Sequence, residues 1–188
     1  MVYRIFQAYL DDENSITIEL EKSFDAYSIH FTLEDKHSSS PLTIKKIENQ
    51  EHQIIYTLSA NDPIDLTESY TVYDQDRNHT ILQYRHIVQK PIFDELFSYQ
   101  GRDLGASYSP QATDFKLWAP ISEKVLLHLE EQIIPLQRQD RGVWHTQILG
   151  DLEGRAYYYI HKVNGKWVEV HDPYALSSDA NSGHSYVI

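Results

Sequence analysis

Cysteine is absent from this 188-residue chain, so disulfides, thiolate metal sites and cysteine nucleophiles are all excluded. No apolar run is long enough to cross a bilayer. The N-terminus, Met1-Val2-Tyr3-Arg4-Ile5-Phe6, has no basic segment followed by an apolar stretch. That reads as no signal peptide, which makes a cytoplasmic location the expectation. Positive charge is scarce: 16 Lys and Arg against 28 Asp and Glu leave a formal net charge of −12. Nucleic acid and anionic membranes would be repelled, whereas a neutral ligand would not.

The motifs of common catalytic and phosphate-binding sites are missing as well. There is no Gly-x-Ser-x-Gly elbow, no phosphate-cradling glycine loop and no His-Glu-x-x-His. Ten histidines are scattered without ligand spacing, so no metal and no cofactor is expected. The acidic pairs Asp11-Asp12, Asp94-Glu95 and Glu130-Glu131 are neighbours in sequence. A glycosidase needs two carboxylates facing each other across a sugar, roughly 5 to 9.5 Å apart. Adjacent strand residues point to opposite faces, and those in turns are solvated, so no catalytic residue is assigned.

Alternation of apolar and polar residues dominates what is present. Ile16, Ile18 and Leu20 alternate with polar partners, as do Tyr27, Ile29, Phe31 and Leu33, and then Ile54, Tyr56 and Leu58. A period of two marks strands with one buried face. Turn residues at 11–14, 37–41 and 61–63 divide these runs, and a further strand is expected from Thr80 to Val88. Residues 1–89 therefore read as one antiparallel β-sandwich domain. Pro91 to Phe97 suits a short connecting helix within residues 90–97, with proline in its first turn. Residues 98–175 carry five more expected strands: Asp114–Trp118, Lys124–Glu130, Val143–Ile148, Arg155–Val163 and Trp167–Val170. Asn164-Gly165 between the last two is a strong hairpin signal. The fold class is all-β: two consecutive immunoglobulin-like β-sandwiches joined by a short helix. Residues 176–188 form a tail with little periodicity, and its apolar end, Tyr186-Val187-Ile188, suggests a chain that was meant to continue.

Aromatic residues are abundant, with 14 Tyr and 3 Trp. Flat rings stack on the apolar face of a sugar while polar neighbours bond its hydroxyls. Trp118 and Trp144 read as core. Trp167, just past the Asn-Gly-Lys turn, suits either a ligand contact or the core. Phe6 and Tyr9 flank the first acidic turn, where Tyr9 is either an exposed platform or a strand-end packing residue.

A series of motifs carries a resemblance. It comprises Leu104-Gly105-Ala106-Ser107-Tyr108-Ser109-Pro110, Thr113 to Pro120, Gly142-Val143-Trp144, Gly150 to Gly154, Tyr157-Tyr158-Tyr159 and Asp172-Pro173-Tyr174-Ala175. In this order they resemble the isoamylase N-terminal, or family 48 carbohydrate-binding, module. Phe6 to Asp12 and Phe93 to Phe97 resemble the N-terminal region of type I pullulanases, α-1,6-glucan debranching hydrolases of glycoside hydrolase family 13. The resemblance implies a bacterial starch- or glycogen-degrading parent enzyme and α-glucan as partner. It also implies a following (β/α)₈ barrel as intramolecular partner. Such a barrel needs about 250 residues of its own, so this chain is expected to be inactive by itself. In related glycogen-binding modules an aromatic at the position of Trp167 stacks on sugar. Tyr9 and Phe6 are the candidates in the first domain, since some relatives bind maltooligosaccharides there. The alternative is a stand-alone glycan-binding or regulatory protein.

Overall fold

In the computed structural model, residues 2–22, 27–178 and 183–188 are described. The chain divides into two units, Met1–Glu95 and Leu96–Ile188. The fold is all-β, and among the described residues no helix is long and apolar enough to cross a membrane.

The first unit contains β1 (Phe6–Asp12), β2 (Ser15–Glu21), β3 (Phe31–Glu34), β4 (Ser39–Asn49), β5 (Gln53–Ser59), β6 (Thr71–Asp74) and β7 (His79–Tyr84). Alternate residues point inwards, as the period of two requires: Phe6, Ala8 and Leu10 from β1, Ile16, Ile18 and Leu20 from β2, and Ile54, Tyr56 and Leu58 from β5. At the centre Phe31 meets Phe6 and Tyr56 edge-on, with ring centroids 5.8 and 5.2 Å apart. The strands close into a barrel in the order β1-β2-β5-β4-β3-β6-β7. Closure uses one parallel pair, β1 with β7, which the expected antiparallel sandwich did not include. It removes the two edges that a single open sheet would leave. Beside it, buried Arg4 donates from Nη1 to Asp74 (2.9 Å) and Asp76 (2.7 Å), so the inward-facing carboxylate of Asp74 is paired.

Three local expectations change. The strand read from Tyr27 begins only at Phe31, and Tyr27 and Ile29 lie exposed. The strand read to Val88 stops at Tyr84, and His86–Gln89 turn into a 3₁₀ segment that buries Ile87. The Ser-Ser-Pro segment read as a turn opens the long strand β4, whose register shifts between Ile44 and Lys46. That bulge breaks the alternation that would have marked it.

Helix α1 (Pro91–Phe97) forms where the sequence placed it. Proline tolerates the first turn because its missing N–H has no acceptor there.

The second unit contains β8 (Gly105–Tyr108), β9 (Ala112–Trp118), β10 (Lys124–Leu129), β11 (Gln132–Pro135), β12 (Gln137–Arg138), β13 (Val143–Leu149), β14 (Ala156–Val163), β15 (Lys166–Val170) and β16 (Ser185–Tyr186). One sheet runs β11-β10-β14-β15, with β16 also on β14, and the other runs β12-β13-β9-β8. Phe115, Leu117, Leu127, Trp144, Tyr157 and Tyr159 fill the core, together with Val187 of the tail. The tail therefore packs onto its own unit. Val187 donates its N–H to Arg155 O and accepts from Gly154 N, closing residues 185–187 against β14. Buried Asp172 anchors the approach: Oδ2 accepts from Tyr157 Oη (2.7 Å) and Oδ1 from Tyr174 N (2.9 Å). Leu176 and Ile188 of the same segment stay exposed.

Trp144 is core, its indole N–H donating to Ala119 O at 3.0 Å. Trp118 departs from the core reading: it is 36% exposed, and its N–H donates to Phe97 O (2.8 Å) and Arg141 O (3.1 Å). It ends β9 on the outward parity, opposite Leu117 and Phe115. Gly142 makes the adjoining turn possible. Its φ is +73°, and a Cβ there would lie 2.5 Å from Pro120.

Candidate sugar-binding faces

The two sequence candidates in the second and first units end up in unlike surroundings. In the second unit, the Asn164–Gly165 turn has φ of +51° and +73°, the left-handed pair that a tight hairpin requires. Glu123 braces it, accepting the Gly165 N–H at Oε1 (2.8 Å) and pairing with Lys162 Nζ at Oε2 (3.0 Å). Trp167 emerges on β15 directly opposite Lys162 and is 49% exposed.

Strand parity fixes what shares its face. Tyr157 and Tyr159 point into the core, so Tyr158, Ile160 and Lys162 point out. Ile160 pairs with Glu169 on one side and Leu126 on the other, while Tyr158 pairs with His128. The His128 ring stacks on Tyr158 at 4.5 Å and 15°, and His184 meets Tyr158 edge-on at 5.6 Å. Burial and the neighbouring Glu169 charge push the Tyr158 hydroxyl up, so it stays protonated at neutral pH. Among the described residues, the Trp167 indole N–H, the Glu169 carboxylate and the Tyr158 hydroxyl have no hydrogen-bond or ion-pair partner. The face thus offers the Trp167 donor, the Glu169 acceptor, the Tyr158 hydroxyl that does both and the Lys124 ammonium opposite Lys162, over an apolar floor of Ile160 and Leu126.

Tyr9 lies on β1 of the first unit, between Thr17 of β2 and Gln83 of β7. Its ring is covered and most of its polar neighbours are paired with one another. The Arg85 guanidinium covers the ring at 4.6 Å. Arg85 also grips Asp11 with two 2.7 Å bonds and reaches Glu19 at 3.1 Å. Thr17 donates to Asp11 (2.6 Å) and Gln83 to Gln7 (2.6 Å). Burial pushes the Asp11 carboxyl up, but Arg85 and Thr17 outweigh it and hold it below its usual value. Phe6 is corrected: it is 4% exposed, on the inward parity of β1 against Phe31, and has no free face for a sugar.

Three of the paired carboxylates hold cations. Asp11 holds Arg85, Asp12 holds Lys90 at 2.6 Å, and Glu130 holds Arg155 at 2.8 Å. Among the described residues no group of three or more His, Asp or Glu could hold a metal ion.

Residues 6–89 match the pullulanase N1-terminal domain, and residues 103–175 match carbohydrate-binding module 48, the isoamylase N-terminal domain. The chain belongs to the N-terminal region of the pullulanases. Along its whole length it is 28% identical to the pullulanase of Bacillus subtilis (strain 168), of which it spans 27%. The crystal structure of a pullulanase from Anoxybacillus sp. LM18-11 superposes with a TM-score of 0.89 at 34% identity, covering 98% of this chain and 28% of that one. The same enzyme complexed with maltotriose gives the same values. The chain therefore spans about a quarter of the length of these pullulanases.

Within this pullulanase N-terminal region, Trp167 was found from its turn. Tyr158, Glu169 and His128 were not singled out as site residues. Their signal was parity: once Tyr157 and Tyr159 are buried, Tyr158 faces out, and the hairpin register puts Glu169 and Trp167 beside it.

Proposed function

We propose that the chain is a non-catalytic α-glucan-recruiting region of a debranching hydrolase. The outer face of the β11-β10-β14-β15 sheet takes the sugar, and Trp167 is the stacking residue. The observation that carries this reading is Trp167 itself, an exposed indole with an unpaired N–H on a braced hairpin beside other unpaired polar groups. Polar residues that have not already satisfied one another remain available to sugar hydroxyls, and a rigid ring loses little entropy on stacking. Around Tyr9 the ring is covered by Arg85 and most polar neighbours are already paired, which favours the second unit. The family 48 module and the maltotriose complex of the similar Anoxybacillus enzyme support an α-glucan as ligand. In the whole protein, the chain positions starch, glycogen or pullulan for a catalytic barrel outside these residues.

Titration of maltotetraose into the 188-residue chain tests this. Binding that Trp167→Ala weakens about tenfold or more, with Tyr9→Ala nearly unchanged, is the expected result. Unchanged affinity in Trp167→Ala, or release of reducing sugar from pullulan by this chain alone, contradicts it.

A further inference from the structure

We propose that this face is a linear track, running from Trp167 across Ile160 to Tyr158 and His128, so that it reads a glucan segment and not a single sugar. The proposal rests on the Trp167 reading above.

Trp167 stands opposite Lys162, and Tyr158 lies four residues back along the same strand. At the rise of a β-strand the separation is about 13 Å, beyond the reach of one pyranose ring but within that of a short oligosaccharide. Ile160 lies midway between Lys162 and Tyr158 on the same face, flanked by Leu126 of the next strand. Glu169, opposite Ile160, borders the track at its midpoint with a carboxylate that can only accept.

The far end is constructed and not merely polar. His128 stacks flat on Tyr158 while His184 closes its edge, so the phenol is held upright with its hydroxyl unpartnered. A ring fixed on both sides loses little freedom on binding. Donor at one end, acceptor in the middle and a donor-acceptor hydroxyl at the other end match a neutral chain carrying hydroxyls along its length. The net charge of −12 disfavours anionic ligands, and Lys124 beside Lys162 adds a donor at the Trp167 end.

Maltose, too short for the track, and maltohexaose, long enough for it, are titrated into the 188-residue chain and its Tyr158→Ala, Tyr158→Phe, Glu169→Ala and Trp167→Ala variants. The wild type is expected to prefer maltohexaose by about tenfold or more, on the scale of one or two added contacts. Tyr158→Ala should cut that preference to about threefold or less, with Tyr158→Phe in between. Glu169→Ala, on an exposed strand, should reduce it too and serves if Tyr158→Ala does not fold. If Tyr158→Ala and Glu169→Ala keep the full preference while Trp167→Ala loses binding, the track is wrong and the Trp167 site stands. If Trp167→Ala binds both sugars like the wild type, the Trp167 reading fails and the track falls with it.

Discussion

Glu123 holds the Asn164–Gly165 turn from outside, accepting the Gly165 N–H at 2.8 Å while its other oxygen meets Lys162 Nζ at 3.0 Å. A carboxylate 42 residues upstream thereby fixes the hairpin that presents Trp167. Removing it leaves the Asn-Gly turn its own preference but frees the hairpin to shift. Glu123→Ala should cost about 1 to 2 kcal/mol, the scale of one hydrogen bond to a charged group. Glu123→Gln, which keeps an acceptor, should recover most of this. Urea unfolding of the three proteins measures it.

Asp172 is the buried polar anchor of the chain's last segment. Asp172→Ala leaves the Tyr157 hydroxyl and the Tyr174 N–H without their partner, an expected loss of about 2 to 3 kcal/mol. The pH dependence has a definite sign. Burial raises the Asp172 carboxyl above its unfolded value, so the folded state holds this proton more tightly. The group's contribution thus improves as pH falls through its folded value towards its unfolded one. Compared with Asp172→Asn, which cannot titrate, the wild type should gain in relative stability between pH 7 and pH ~4. Parallel thermal melts across that range check this.

Asp11 behaves in the opposite sense. The Arg85 pair holds its folded value below the unfolded one, so the stability it supplies is present above the unfolded value and lost as pH falls through the folded one. Arg85→Ala should flatten the acid limb of the first unit's stability curve. It also strips the guanidinium from the Tyr9 ring. A rise in α-glucan affinity in this variant, abolished by adding Tyr9→Ala, would show a platform that Arg85 normally covers.

Gly142 and Gly154 both have positive φ, +73° and +76°, but only Gly142 has a neighbour where a Cβ would go, Pro120 at 2.5 Å. Gly154→Ala should cost about 1 kcal/mol of backbone strain. Gly142→Ala adds a clash with backbone and should exceed 2 kcal/mol, an estimate at the upper end of common point-mutant effects. Denaturant midpoints compare the two.

Much of the fold was legible because both units rely on strands with one buried face. The Ile16–Ile18–Leu20 and Phe115–Leu117 alternations state this directly, and Asn164-Gly165 gave the last hairpin. Strand β4 was not legible, because it buries only Leu42 and its bulge breaks the period. The parallel β1–β7 closure was hidden as well, since pairing between residues more than 70 apart leaves no local signal. Trp118 was misread because its apolar character was weighed above its parity, which sets it with Lys116 on the face opposite Phe115 and Leu117. For the site, the turn pointed to Trp167, and the Phe6–Ala8–Leu10 parity carried the inward turn of Phe6, but nothing local says that Arg85 would cover Tyr9. That follows from strand order, which brings β7 beside β1.

The three tryptophan indole N–H groups provide the most direct test. Trp144 donates to Ala119 O, Trp118 to Phe97 O and Arg141 O, and Trp167 to no described residue. In a ¹⁵N-labelled chain each gives a separate side-chain signal, which can be followed as maltotetraose is added. The account predicts that the Trp167 indole signal moves progressively to saturation while those of Trp144 and Trp118 stay in place. A stationary Trp167 signal alongside shifts confined to residues 6–89, or no shift at all, would contradict it.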